Sequence, residues 1–239
     1  YGPHSFAALI AEPVQGAGGV IVPPANYWQR LREVCDRYEI LLIADEVVTG
    51  FGRSGCLLGS RGWGVAPDIL CLAKGISAGY IPLGATVFNQ RVAEGIEHAP
   101  GFASFVMHGY TYSGHPTACA AALAVLDIVE AEDLPGNAAK IGSQLLAQLQ
   151  PLSERYAVVG EVRGKGLMIA LDLVTDKTTR QPVDPAAGHA ARIAEAARDE
   201  GVLVRPVGSK IILSPPLTLT SEEAGQIAAA LDSALSRCR

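Results

Sequence analysis

The sequence has few charged residues and no excess of basic residues. Charged residues make up 18% of its 239 residues, against 49% hydrophobic residues, and this balance excludes an intrinsically disordered chain. The net charge is −5, which gives no support for binding to nucleic acid or to an anionic membrane. No apolar run reaches the ~18 residues of a membrane-spanning helix. We therefore expect neither nucleic acid nor a membrane as a partner.

Metal-binding and disulfide patterns are also missing. The five cysteines are scattered and form no CxxC pair, a distribution typical of reduced thiols in the cytoplasm. The five histidines form neither HxxxH nor HExxH, so no metal site is predicted. From this distribution of cysteines we expect a cytoplasmic location. The chain does not start with a basic and then apolar segment, so we also expect no signal peptide.

The first part of the chain alternates apolar runs with helical patterns. Three apolar runs predict strands, at residues 6–11, 40–44 and 68–73. The second and third are of the continuous type that is typical of buried parallel strands. Helical spacing after Pro24 predicts a helix built on Tyr27, Leu31, Val34 and Tyr38. An Ala-rich helix is predicted from Pro116 to about residue 130. This alternation predicts a large α/β domain over residues 1–135, with a parallel or mixed sheet.

The remaining residues, 136–239, predict a small α+β domain. Helices are expected at residues 137–156 and 186–200, and strands within 158–174 and at 202–205 and 210–214. Gly201 suits the end of the second of these helices. Thr220 and Glu223 have the spacing of a capping box and predict a final helix.

Two predicted strands end on charged residues. Asp45 follows the run 40–44, and Lys74 follows the run 68–73. If the strands are parallel, a carboxylate and an amine meet at the carboxyl edge of the sheet, where ligands bind in open α/β folds. A charge at a strand end can equally mark the protein surface, and the pattern alone leaves both interpretations open.

A lysine amine and a carboxylate are the two protein groups that pyridoxal 5'-phosphate (PLP) chemistry most needs. The amine can form a Schiff base with a carbonyl group, and the carboxylate can hold a protonated pyridine nitrogen. Gly75 and Gly79 follow Lys74 and would allow the backbone to approach a cofactor closely.

Four segments resemble the class III (subgroup II, ω-) aminotransferases. They read EPVQGAGGVIVPP at 12–24, DEVVTGFGRSG at 45–55, APDILCLAKG at 66–75 and HGYTYSGHP at 108–116. The resemblance implies PLP as cofactor and the PLP-dependent transferase fold type I, with part of a large α/β domain followed by a small C-terminal domain. It also implies that the chain is the C-terminal part of a longer enzyme. We expect the chain alone to lack the N-terminal phosphate loop and to be inactive and poorly soluble.

The resemblance also assigns roles to residues that contact the cofactor. Asp45 matches the carboxylate that binds the pyridine nitrogen, and Lys74 matches the lysine that forms the Schiff base. Val47 matches the residue that packs on the ring, and strand alternation would place it on the same face as Asp45. Thr111 matches a hydroxyl that reaches the cofactor phosphate of the neighbouring subunit, which implies a homodimer.

Two further residues bear on the substrate. Glu12 matches a carboxylate on the substrate side of the cofactor. In the ornithine and 4-aminobutyrate branches this carboxylate pairs with an arginine, but Leu213 stands at that position here. Arg205 resembles instead the carboxylate-binding arginine of the amine:pyruvate branch, and the diaminopelargonate branch shares this segment.

The resemblance implies transfer of an amino group from an ω-amino acid or amine to a keto acid such as pyruvate. Class III enzymes of the diaminopelargonate, 4-aminobutyrate or ornithine type are the alternatives. An inactive truncated homologue that only dimerises or binds PLP is another. A dinucleotide-binding oxidoreductase is disfavoured. A GxGxxG motif that begins at Gly16 would need its third glycine at position 21, where the chain has Ile21. Pro23 and Pro24 also interrupt the stretch where the pyrophosphate-binding helix would begin.

Overall fold

The computed structural model describes residues 2–238, which form two units. The first unit contains residues 2–13, Pro23–Phe51 and Cys56–Asp133. The second contains Val14–Val22, Gly52–Gly55 and residues 134–238. The chain thus passes to the second unit after Asp133, while two short segments of the predicted first domain belong to the second unit.

A four-stranded sheet forms the centre of the first unit. Its strands, in spatial order, are β1 (Ala8–Ala11), β2 (Leu41–Asp45), β3 (Ile69–Leu72) and β4 (Ala85–Phe88). The first three strands are parallel, and β4 is antiparallel to β3. The mixed sheet confirms the predicted arrangement of the three apolar runs, whereas β4 was not predicted.

The α-helices in the described part of this unit are α1 (Tyr27–Arg37), α2 (Gly59–Gly62), α3 (Gln90–Glu97) and α4 (Pro116–Ala131). The helix predicted from Pro116 is confirmed, with proline in its first turn, where a missing N–H does no harm. None of the helices within residues 2–238 is both long and apolar enough to cross a membrane.

The buried face of α1 differs from the predicted one. Trp28 and Cys35 are fully buried and pack on Leu42 and Ala44 of β2. Three of the four residues that predicted the helix point outward instead: Tyr27, Val34 and Tyr38 are at least 40% exposed. Two adjacent apolar stripes run along this helix, and the stripe that contains the large tryptophan faces the sheet.

The second unit is an antiparallel sheet covered by helices. The strands are β5 (Val159–Lys165), β6 (Met168–Asp176), β7 (Gln181–Pro182), β8 (Arg205–Val207) and β9 (Lys210–Leu213), in the spatial order β5-β6-β9-β8 with β7 beside β6. The helices are α5 (Leu134–Leu149), α6 (Leu152–Arg155), α7 (His189–Asp199) and α8 (Ser221–Arg237). Fully buried Leu145, Leu171 and Leu231 belong to one core between sheet and helices.

Several boundaries in this unit depart from the sequence predictions. The helix predicted at 137–156 begins at Leu134 and breaks before Pro151, because proline cannot continue a helix. The strand predicted at 202–205 begins only at Arg205, because residues 202–204 follow the left-handed turn at Gly201 (φ 84°). The capping box at Thr220 is confirmed, with both of its hydrogen bonds present.

Arginine side chains hold the two short segments in the second unit. Arg163 on β5 donates from Nε to the Val20 carbonyl at 2.9 Å and from Nη2 to the Gly19 carbonyl at 2.5 Å. Arg53 donates to the carbonyl of Pro215, and burial lowers the pKa of its guanidinium. The membership of these segments therefore depends on partners more than 100 positions away in sequence.

Candidate active site

Three neighbouring parallel strands place polar residues at one edge of the first unit's sheet. Glu12 follows β1, Asp45 ends β2, and Lys74 lies two positions after β3. The register pairs Ala11 with Ala44 and Asp45 with Cys71, so Glu12 and Asp45 lie at nearly the same level, and Lys74 follows three positions after Cys71. Adjacent strands are about 4.8 Å apart, and the carboxyl edge therefore carries Asp45 and Lys74, as the parallel pattern predicted, together with Glu12.

Asp45 is half-buried and held by the backbone that follows it. Its Oδ1 accepts a hydrogen bond from the Val47 amide at 3.0 Å. Within residues 2–238 no hydrogen bond reaches its other oxygen, so Oδ2 can accept a donor from a ligand.

Val47 does not share a strand face with Asp45, contrary to the prediction from alternation, although its amide contacts the Asp45 carboxylate. The strand ends at Asp45, and residues 47–50 form a turn rather than an extended segment. An aspartate side chain that binds the amide two residues on is a typical turn former. Val47 is half-buried in this turn.

Lys74 begins a short 3-10 turn, Lys74–Ser77, in an unusual backbone conformation. Its φ is +44°, a value that side-chain-bearing residues adopt only when their surroundings hold them there. A Cβ atom at Gly75 would lie 3.0 Å from the Cβ of Phe51, so the turn after β3 packs closely against the loop after β2. The Lys74 side chain is exposed and makes no hydrogen bond or ion pair within the described residues.

Glu46 is a residue that sequence reasoning missed. It is fully buried, and its carboxylate accepts hydrogen bonds from the amides of Gly59 at 2.8 Å and Ser60 at 2.7 Å and from the Thr49 hydroxyl at 2.5 Å. The sequence does contain a sign of this role, because two carboxylates, Asp45 and Glu46, follow the apolar run 40–44 directly. Adjacent side chains point in different directions, so only one of the two can face a ligand at the strand end.

A second buried carboxylate, Asp68, lies at the opposite end of the same strands. It accepts hydrogen bonds from the Leu42 amide and Arg32 Nη1, both at 2.8 Å, and from Asn89 Nδ2 at 3.0 Å. Burial opposes its ionisation, but these hydrogen bonds and the charge of Arg32 outweigh that effect and hold the pKa of Asp68 below its usual value. Asp68 therefore joins α1, β2 and the start of α3, away from the carboxyl edge.

Thr111 lies in an exposed loop that leads into α4. The loop is closed by a hydrogen bond from the Tyr110 amide to Ser113 Oγ at 2.9 Å, and His115 caps the helix by accepting from the Ala118 amide at 3.4 Å. The Thr111 hydroxyl makes no hydrogen bond to any part of the chain that the structure describes.

Arg205 lies in the second unit, as the first residue of β8. Its backbone pairs with Ile212 of β9, and its side chain is exposed. No carboxylate among residues 2–238 pairs with it. Leu213 is only 3% exposed, so the residue at the alternative arginine position is part of the core.

No group of three or more His, Cys, Asp or Glu side chains in the described chain is arranged to hold a metal ion.

Comparisons with known proteins agree on one family. A family profile described as Aminotransferase class-III matches residues 2–235. An amine transaminase from an uncultivated Pseudomonas species, solved in its PLP-bound form, is 80% identical with a TM-score of 0.98, over 100% of this chain and 54% of its own. An (S)-enantioselective ω-transaminase from Thermomicrobium roseum is 46% identical with a TM-score of 0.93, over 99% of this chain and 52% of its own.

The curated relatives that this chain resembles are named for several different substrates. The diaminobutyrate–2-oxoglutarate transaminase of Halomonas elongata is 42% identical over 99% of this chain and 51% of its own length. The putrescine–pyruvate aminotransferase of Pseudomonas aeruginosa is 42% identical over 95% of this chain and 48% of its own. The chain spans about half the length of the curated relatives it matches. The fold is that of the PLP-dependent transaminases, as predicted, and the chain belongs to the class III aminotransferase family.

Proposed function

We propose that the protein acts in PLP-dependent transamination, moving an amino group from an ω-amino acid or amine to a keto acid such as pyruvate. The observation that carries the proposal is the meeting of Asp45 and Lys74 at the carboxyl ends of adjacent parallel strands. The 80% identity to an amine transaminase supports an amine as donor. The putrescine–pyruvate relative supports pyruvate as acceptor.

The residues at this edge fit PLP. Asp45 has a carboxylate oxygen available for a protonated ring nitrogen, and Lys74 has an amine with no partner among residues 2–238. When bound, PLP supplies an electron sink for the negative charge that develops on the substrate carbon.

Each of the chain's own residues at the site would then have a separate role in the reaction. Asp45 would hold the ring nitrogen in its protonated form, and Lys74 would hold the cofactor. Lys74 Nζ would also take up and return the proton at the substrate carbon. Arg205 binds the carboxylate of the acceptor, because a guanidinium offers two parallel donors to two oxygens. Glu12 acts on the substrate side of the cofactor.

We further propose a homodimer in which Thr111 reaches the cofactor phosphate of the partner subunit. The chain segment that contains Thr111 carries large exposed side chains: Phe102, Met107, Tyr110 and Tyr112 are each at least 77% exposed. Exposed apolar side chains concentrated in one segment favour an interaction site there. Met107→Lys should weaken the dimer in sedimentation experiments, and an unchanged dimer would contradict this assignment. The cytoplasmic location stays a prediction that rests on the free cysteines.

Borohydride reduction tests the core of the proposal without requiring turnover. PLP is added, the protein is reduced, and its peptides are mapped by mass spectrometry. We expect PLP on Lys74, none in Lys74→Ala, and full labelling of Lys74 in Lys140→Ala, which removes an exposed lysine of α5 as a control. Label on another lysine, or no label in the wild type, would refute the proposal.

A donor panel with pyruvate and with 2-oxoglutarate then separates the branches. Faster turnover with aliphatic amines and pyruvate supports the proposed branch. Preference for diaminobutyrate, 4-aminobutyrate, ornithine or a diaminopelargonate precursor would assign the chain to another one. PLP on Lys74 without any turnover would agree with the expectation that the chain alone is inactive.

A further inference from the structure

We propose that Glu46 is a positioning residue that sets the orientation of Asp45 toward the pyridine nitrogen of PLP. The inference rests on the proposed function and assigns a role to a side chain that does not itself touch the cofactor.

The carboxylate of Glu46 is held by three hydrogen bonds. Both of its oxygens are used, because Oε1 accepts from Ser60 and Oε2 accepts from Gly59 and from Thr49. All three donors are neutral, and the side chain is 0% exposed. Only a group with two acceptor oxygens satisfies this arrangement.

The backbone of Glu46 is fixed on both sides. Its amide donates to the Cys71 carbonyl at 3.0 Å, one step beyond the β2–β3 pairing, and its carbonyl accepts from the Gly50 amide at 2.9 Å. The peptide that follows carries the Val47 amide, the donor that holds Asp45 Oδ1. A rotation of this peptide would therefore move the only hydrogen bond that orients the Asp45 carboxylate within residues 2–238.

The partners of Glu46 also reach the end of β1. A Cβ atom at Gly59 would lie 2.8 Å from Pro13 Cβ, 2.9 Å from Thr49 Cβ and 3.1 Å from Glu46 Oε2, so no side chain fits there. Trp63 Nε1 donates to the Pro13 carbonyl at 3.2 Å. Through its hydrogen bonds to residues 59 and 60, Glu46 connects the turn after β2 to the residue that follows Glu12.

Glu46→Gln tests the role with the smallest change of shape. The glutamine amide would turn a donor toward one of two backbone N–H groups, which leaves that group unpaired. Asp68→Asn is the matched control, since Asp68 is an equally interior carboxylate of the same unit at the other end of the strands. Thr49→Val removes one hydrogen bond only and serves if Glu46→Gln does not fold.

The measurements are the PLP dissociation constant, the absorption spectrum of bound PLP and the thermal midpoint. We expect Glu46→Gln to weaken PLP binding about tenfold, the effect of one unpaired buried group, and to change the spectrum. We expect Thr49→Val to weaken binding about threefold. Asp68→Asn should lower the thermal midpoint without changing either PLP property.

The outcomes distinguish failure of the positioning role of Glu46 from failure of the proposed function. If Glu46→Gln lowers the stability but leaves the PLP affinity and spectrum unchanged, Glu46 has a structural role only and the inference is overturned. If Glu46→Gln does not fold, the same result in Thr49→Val overturns the inference. Equal changes in Asp68→Asn would do the same. No PLP on Lys74 in the wild type would refute the proposed function, and the positioning role with it.

Discussion

Arg163 provides a direct test of how the second unit is stabilised. All five N–H groups of its guanidinium donate. Besides the carbonyls of Gly19 and Val20, it binds Asp172 through Nη1 at 2.6 Å and Nη2 at 2.9 Å, and Glu161 through Nη1 at 3.2 Å. Burial disfavours its charge, but the hydrogen bonds and charge of Asp172 and Glu161 outweigh that effect and raise the pKa of Arg163.

Arg163→Gln should be strongly destabilising. Glutamine keeps at most two N–H groups and no charge, so Asp172 loses its partner and the carbonyls of Gly19 and Val20 lose their donors. Removing one partner of a buried ion pair costs about 3–5 kcal/mol. The lower value applies here, because the Asp172 side chain is 28% exposed while Arg163 is 15% exposed. About 3 kcal/mol corresponds to a fall of about 6–12 °C in the thermal midpoint for a chain of this size.

Thermal unfolding and amide hydrogen exchange together test this reasoning. Exchange should accelerate at residues 15–21, because Arg163 holds the strained backbone of Val20 (φ 53°). Arg237→Gln removes a second doubly paired arginine, which is 47% exposed on α8, and should change the midpoint little because exposed pairs contribute little. A decrease of the thermal midpoint by less than about 2 °C in Arg163→Gln, or unchanged hydrogen exchange at residues 15–21, would refute this prediction.

Three further predictions concern single interactions. Asp68 has a depressed pKa, so its stabilising effect is present above the unfolded value of about 3.9 and is lost as the pH falls through the lower folded value. The stability gap between wild type and Asp68→Asn should therefore be full at pH 7 and close below about pH 4, and a gap independent of pH would contradict this. Gly75→Ala would press a methyl group against Phe51 and should destabilise the protein by about 1–3 kcal/mol in denaturant titration, with weaker PLP binding at Lys74; a neutral effect would show that the turn can shift. Thr220→Ala should lower the thermal midpoint by about 2–4 °C through loss of the helix cap, and Thr220→Ser, which keeps the hydroxyl, should not.

The sequence alone was sufficient for the features that depend on local order. Asp45 and Lys74 could be placed because each follows an apolar run, and such a run indicates a strand of a parallel sheet from the local sequence alone. The α4 start at Pro116 and the α8 cap at Thr220 were predicted for the same reason, since their hydrogen bonds join residues within one turn. Family motifs then supplied the order of these elements and their chemistry.

Tertiary structure alone decided features whose partners lie far apart in sequence. Two apolar stripes were available on α1, and only packing of Trp28 on β2 selected one. Asp45 and Glu46 are adjacent carboxylates, yet the first faces the carboxyl edge and the second is buried, because the amides that receive it lie 13 and 14 positions later. The segment Val14–Val22 belongs to the second unit because Arg163 binds its carbonyls across 143 and 144 positions. Local patterns report preferences over a few residues, whereas burial and hydrogen-bond partners over such distances exist only once the chain has folded.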